Sequence, residues 1–269
     1  METLGDKAIL ALGLGWVFMI LIVPTLNVFY QAFANGPGPF IESVMDEDFR
    51  HAVGMTLSLA AIAVPINTAF GIATAIYIAR GDFKYKSALL TVLDLPFSIS
   101  PVVTGLMLVL LYGRGGIFEP ALQYLDINIV FAFPGMALAT LFVTLPYVAR
   151  ELVPILEATD VAEEEAARTL GANEWQVFWN VTLPNIRWGL LYGVILTNAR
   201  AMGEFGAVSV ISGNIIGRTQ TLTLFVESAY KEYNTEGAFS AAVLLSMLAV
   251  GTLFLKEGLE AVSSKEKKK

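Results

Sequence analysis

The chain has 269 residues, 55% of them hydrophobic and 15% charged, with a mean hydropathy of +0.64 and a formal net charge of −7. Soluble domains are about 25% charged, so the composition argues for a bilayer environment, and the acidic balance argues against a nucleic-acid surface. The absence of cysteine excludes disulfide and thiolate chemistry, and the single histidine, His51, leaves little material for zinc binding or imidazole acid–base work.

A membrane helix needs about 20 mostly apolar residues, and six such runs follow one another along the chain. They lie at about 9–29, 52–79, 87–112, 129–149, 188–211 and 237–255. The first run is longer than a signal core of about 7–15 residues and starts with one Lys against two acids, so cleavage after Ala32-Phe33-Ala34 is not expected. The second run ends at Arg80. In the third, Pro96, Pro101 and Gly105 predict a kinked or interrupted helix, and Asp94 reads as a helix cap before Leu95-Pro96. Pro134 and Pro146 predict bends in the fourth run, as hinges or as fixed kinks.

Lys and Arg counts orient the chain. With the N-terminus in the cytoplasm, the inner segments hold 12 of them and the outer segments hold 4, namely Arg50, Arg114, Arg218 and Lys231. Both termini, including the tail Ser264-Lys265-Glu266-Lys267-Lys268-Lys269, are therefore expected inside. The outer connections, 34–51 and 212–236, are too short for domains, and no internal repeat is evident.

The longest inner connection, 150–187, is acidic where the rest of the chain is oily. Asp160 with Glu163 at the third helical position reads as a capping box. Glu163, Glu164 and Glu165 suit the positive end of the helix dipole. Ala166 and Ala167 permit close approach of another surface, and Gly171 can end the helix with positive φ. Trp175, Phe178 and Trp179 then share one face, suited to the membrane interface, before Pro184 breaks the helix. The prediction is two short helices lying across the inner surface; a merely solvated acidic loop is the competing reading.

The spelling of this segment resembles the EAA motif of importer-type ABC permeases. Glu165-Ala166-Ala167 is followed by three residues, Gly171, nine residues, Val181 in place of Ile, one residue, and Leu183-Pro184. The stretches LDLPFSISPVVTGL, FPGMALATLFVTLPYVARELVP and LPNIRWGLLYGVILTNARAMGEFGAVSVISG extend the likeness over nearly the whole chain. They resemble sulfate/thiosulfate importer permeases, most of all the W-type subunit, with molybdate and tungstate permeases as relatives.

The resemblance implies an all-α, MetI-like type I permease fold, one domain over 1–269 in a bacterial inner membrane. It implies a coupling helix that places Glu163, Glu164, Glu165, Ala166, Ala167, Gly171, Leu183 and Pro184 at the ATPase interface. It implies as partners a homodimeric ABC ATPase carrying ATP-Mg, a second, homologous permease in a heterodimer, and an extracytoplasmic sulfate-binding protein. The chain itself is then not an enzyme and binds no cofactor or metal, and it has no G-x-x-x-x-G-K-[ST] phosphate loop of its own.

Within the spans, Arg200 and Glu204 carry charge where it is costly. Four residues apart, they can pair, with Thr197 near the same face and Ala199 and Gly203 open for close helix contact. A satisfied structural pair is the preferred reading; a place on the anion path is the other. Ser212, Gly213, Asn214, Gly217 and Arg218 could present N–H groups and a cation to an oxyanion, or form an ordinary loop. An intramembrane hydrolase lacks its groups, since His51 lies outside a span and Asp94 is the one intramembrane aspartate. A passive channel would not need the acidic inner helix.

Overall fold

Inside a bilayer a backbone satisfies its polar groups only in helices or closed barrels, and this chain takes the first course. The computed structural model describes residues 4–266, with no strand among them. Lys267–Lys269 of the basic tail lie outside the described residues.

The first run forms helix α1, Ile9–Phe33, and the second forms α2, Glu47–Arg80. Asp46 caps α2 by accepting the Phe49 N–H at 2.9 Å. The third run is interrupted, as its prolines predict: α3 covers Lys86–Leu93, α4 Leu95–Ser98 and α5 Pro101–Tyr112. Ile99 and Ser100 are non-helical between them, since a residue before proline is driven out of the α region.

Helix α6, Phe133–Ala158, departs from expectation at both ends. It begins at Phe133, so Pro134 falls in the first turn, where its missing N–H costs nothing, and makes no bend. Pro146 interrupts the helical hydrogen bonding at Leu145, whose backbone angles stay helical, φ −58° and ψ −43°. The helix then continues past Arg150, which therefore lies within α6 rather than in the inner connection.

The acidic segment forms α7, Ala162–Thr169. Helix α8 runs from Glu174 to Met202 and turns by 47° into α9, Gly206–Ser212. Helices α10, Leu222–Lys231, and α11, Thr235–Glu266, complete the described residues. Shorter helices, Pro37–Met45 and Glu119–Leu125, lie in the connections.

Pro184 does not break α8. A π-helical stretch, Phe178–Thr182, precedes it, and the Leu183 N–H reaches back to Phe178 O. The wider turn gives the proline ring room while the rod stays continuous. The same device, Phe18–Ile22, precedes Pro24 in α1.

Among the described residues three helices, α1, α2 and α6, are long and apolar enough to cross a membrane, and there are four if the bent α8–α9 pair is counted as one span. The remaining apolar runs appear as the shorter apolar helices Pro101–Tyr112 and Thr235–Gly251.

Helices α2, α6 and α8 pack on one another at the centre. Helix α11 joins α8 and α10 and carries α1 at its edge, while α5 and α9 pair beside α6. One apolar cluster joins Leu59, Met136, Val143, Val208 and Leu224; a second joins Ala75, Ile78, Val148, Leu152 and Ile186. Between them Asn67 is buried in α2 and donates to Leu141 O at 2.9 Å and Thr144 Oγ1 at 2.7 Å, a polar tie to α6.

The close helix contacts fall elsewhere than predicted. Gly203 ends α8, and a methyl there would meet Ala199 O at 3.4 Å and Arg200 O at 4.0 Å, both on its own helix. Gly71 and Gly193 instead press on α6: a Cβ would lie 2.6 Å from Val148 Cβ and 3.1 Å from Val148 Cα, respectively. At Gly105 a Cβ would lie 2.5 Å from Ala207 O, so α5 and α9 touch through backbone. Gly105→Ala is accordingly expected to cost about 1–3 kcal/mol. That is a fall of several degrees in the melting temperature of the detergent-purified protein, at about 2–4 °C per kcal/mol. An unchanged melting temperature would contradict this packing.

Candidate functional site

Helix α7 has two unlike faces. Glu164 is turned inward, with its side chain 7% exposed, and receives Arg80 Nη2 at 3.0 Å and Thr182 Oγ1 at 3.1 Å. Glu165, Ala166, Thr169 and Leu170 fall at helical spacing and are all exposed, Leu170 to 88%. Ala167 is half-buried between the two faces.

The start of α7 differs from the predicted capping box. Asp160 Oδ1 accepts the Ala162 N–H at 3.0 Å, one residue too early to complete a box. Glu163 instead accepts from Asn185 Nδ2 at 2.8 Å, which ties α7 to α8. The capping box forms at the head of α8, between Asn173 and Gln176. The end of α7 is as predicted: Gly171 has φ +89°, Ala172 N bonds Ala167 O at 3.1 Å, and Gly171 N bonds Arg168 O at 3.0 Å. These two bonds make a Schellman turn.

Across that turn Arg168 holds Glu174 at 2.8 and 3.0 Å. This hydrogen bond raises the Arg168 guanidinium above its ordinary value and lowers the Glu174 carboxyl below its own. Trp175, Phe178 and Trp179 form one aromatic cluster with ring centroids 5.4–6.0 Å apart, and both tryptophans are exposed. Leu183 packs on the Ile78–Leu152 cluster, and Pro184 is exposed.

The charged pair in the fifth run sits at the α8–α9 bend. Glu204 Oε2 lies 2.6 Å from Arg200 Nη1, and Glu204 Oε1 accepts the Ala207 N–H at 2.9 Å, capping α9. The Glu204 backbone oxygen also accepts Thr223 Oγ1 at 2.9 Å. The Glu204 side chain is 1% exposed and that of Arg200 30%. Thr197 stays out of the pair and bonds Gly193 O.

Asp94 forms no side-chain cap. Its own backbone is helical, so its carboxylate is free to reach across, and it pairs with Arg150 of α6.

Ser212 and Asn214 are brought together, but with each other. Ser212 Oγ accepts the Asn214 N–H at 3.1 Å, Asn214 Nδ2 donates to Ser228 Oγ at 2.8 Å, and Thr219 Oγ1 donates to Ser212 O at 2.7 Å. The loop spends these polar groups on its own shape. The length of α9, about 10 Å at 1.5 Å per residue, separates Ser212 from Glu204. His51 lies half-buried near the start of α2.

Two residues that organise the bundle escaped the sequence reading. Asn67 had one signal, a lone amide inside an apolar run. Arg80 counted only toward orientation, yet its Nη1 also donates to Leu156 O at 2.9 Å and Thr159 O at 3.1 Å.

Residues 67–257 match the family described as "Binding-protein-dependent transport system inner membrane component". The chain is 66% identical over 263 residues to "Sulfate permease 2, chloroplastic" of Chlamydomonas reinhardtii, covering 98% of this chain and 71% of that protein. It is 58% identical over 252 residues to "Sulfate transport system permease protein CysW" of Synechocystis sp., covering 94% and 91%. Among solved structures, a chain of a bacterial alginate ABC transporter in complex with an alginate pentasaccharide-bound periplasmic protein superposes with a TM-score of 0.77. It is 18% identical and covers 93% of this chain and 91% of that one.

Proposed function

The chain belongs to the binding-protein-dependent transport system inner membrane components, and from that membership we propose that it is the permease subunit of an ATP-driven sulfate importer. The observation that carries the mechanism is the two-faced α7. Its inner face is wired to α2 and α8 through Glu164 and Glu163, while Glu165, Ala166 and Leu170 stand free.

A helix held on one side and bare on the other is suited to dock in a groove of a separate ATPase dimer, which carries ATP-Mg. ATP binding there pulls α7, and the six spans, N- and C-termini inside, open the path outward. A receptor outside delivers the anion, and hydrolysis resets the path. The path runs between this permease and a second, different one. Six spans make half of it.

Arg200 and Glu204 fix the α8–α9 bend. An unpaired cation at that depth would trap a dianion rather than pass it.

The test is ATP hydrolysis by the purified complex on adding receptor loaded with sulfate, thiosulfate or molybdate. Stimulation by the sulfate-loaded receptor is expected. Stimulation by the molybdate-loaded receptor alone would move the assignment to molybdate, and stimulation by none would remove the importer reading.

A further inference from the structure

We propose that Arg80 is a positioning residue that fastens the coupling helix to the bundle, so that a displacement of α7 reaches α2, α6 and α8 together. This rests on the permease reading above.

Arg80 is the last residue of α2. One terminal nitrogen serves Leu156 O and Thr159 O, at and just beyond the end of α6, and the other serves Glu164 of α7. Glu164 passes the contact to Thr182, in the π stretch of α8. One guanidinium thus touches α6 and α7, and through one shared carboxylate it reaches α8.

Each contact has a physical reason. The last carbonyls of a helix lack donors from their own helix, and a cation is favoured at that end. A planar fork serves several acceptors at fixed angles, which an ammonium on a flexible stem does not. The cluster is mostly dry, with the side chains of Arg80 and Glu164 18% and 7% exposed, so its bonds are stronger than surface pairs. The neighbouring pairs Lys86–Glu157 and Arg168–Glu174 are far more exposed, and exposed pairs hold position weakly. The π stretch is where α8 departs from α-helical hydrogen bonding, and such stretches are frequent at functional sites.

The experiment reconstitutes the full complex, both permeases with the ATPase, in vesicles with sulfate-loaded receptor. It measures sulfate moved per ATP hydrolysed for the wild type, R80K, R80Q and T182V. In R80Q the ATPase should stay bound and hydrolyse ATP, while sulfate per ATP falls at least about fivefold, since coupling between sites is commonly worth about 5- to 150-fold. R80K should fall between R80Q and the wild type. T182V removes only the hydroxyl link to Glu164 and should also lower the ratio.

A merely structural Arg80 would lower hydrolysis and transport in step, leaving the ratio intact, and that result overturns the proposal. If R80Q does not assemble, T182V decides: a wild-type ratio there overturns it equally. The wild-type arm separates the two readings. No ATP-driven uptake in the wild type sinks the permease reading, whereas wild-type uptake with an unaltered R80Q ratio sinks only the role of Arg80.

Discussion

E204A is expected to destabilise the protein by about 3 kcal/mol, the lower end of the usual 3–5 kcal/mol for removing one partner of a buried ion pair. The lower end applies because Arg200 is 30% exposed and finds some water. Two losses add. Arg200 keeps its charge without the carboxylate, and the Ala207 N–H loses its acceptor at the head of α9. E204Q separates them, since the amide oxygen still caps α9, and it should cost about 1–2 kcal/mol. Melting temperatures of the detergent-purified complex check both values. Near-wild-type melting of E204A, with an altered sulfate KM, would instead place the pair on the anion path.

Gly171→Val is expected to bring ATP-driven uptake to background while the chain still folds. Gly171 has φ +89°, and nothing lies within 4 Å of where its Cβ would be. The substitution therefore meets no clash and acts through the backbone alone. Left-handed geometry costs an ordinary L-residue about 1–2 kcal/mol, and a β-branched residue fits it worst. The Schellman turn opens, and the free face of α7 is no longer presented at its present angle to α8. Gly171→Asn is the control, because asparagine tolerates this geometry, and it should keep most of the uptake. Equal uptake by the Val and Asn variants would show that the turn is not part of the lever.

Much of this was legible because it rests on local chemistry. The broken third run follows from Pro96 and Pro101, which fix the backbone whatever packs on them. The turn at Gly171 follows from the one residue type that accepts positive φ freely. The pairing of Arg200 with Glu204 follows from helical spacing and the cost of a lone charge in lipid.

What was illegible depends on contacts far apart in sequence. Nothing local says that Glu164 turns inward to Arg80 rather than joining Glu163 and Glu165 on the surface. Asp94 was assigned to its own helix because the partner that claims it, Arg150, is 56 residues away. Pro184 was given a break because a π turn leaves no mark in residue type. Gly193 and Gly203 look alike in the sequence, and only the fold shows that Gly193 meets a neighbouring helix while Gly203 does not.

On the proposed mechanism this chain does no work of its own and is moved through α7 by a separate ATPase. The most direct measurement is uptake of labelled sulfate from sulfate-loaded receptor into vesicles carrying the two permeases, with the ATPase and ATP present or withheld. Uptake that requires both the ATPase and ATP is expected. Sulfate accumulation of the same rate and extent with the ATPase left out would contradict it.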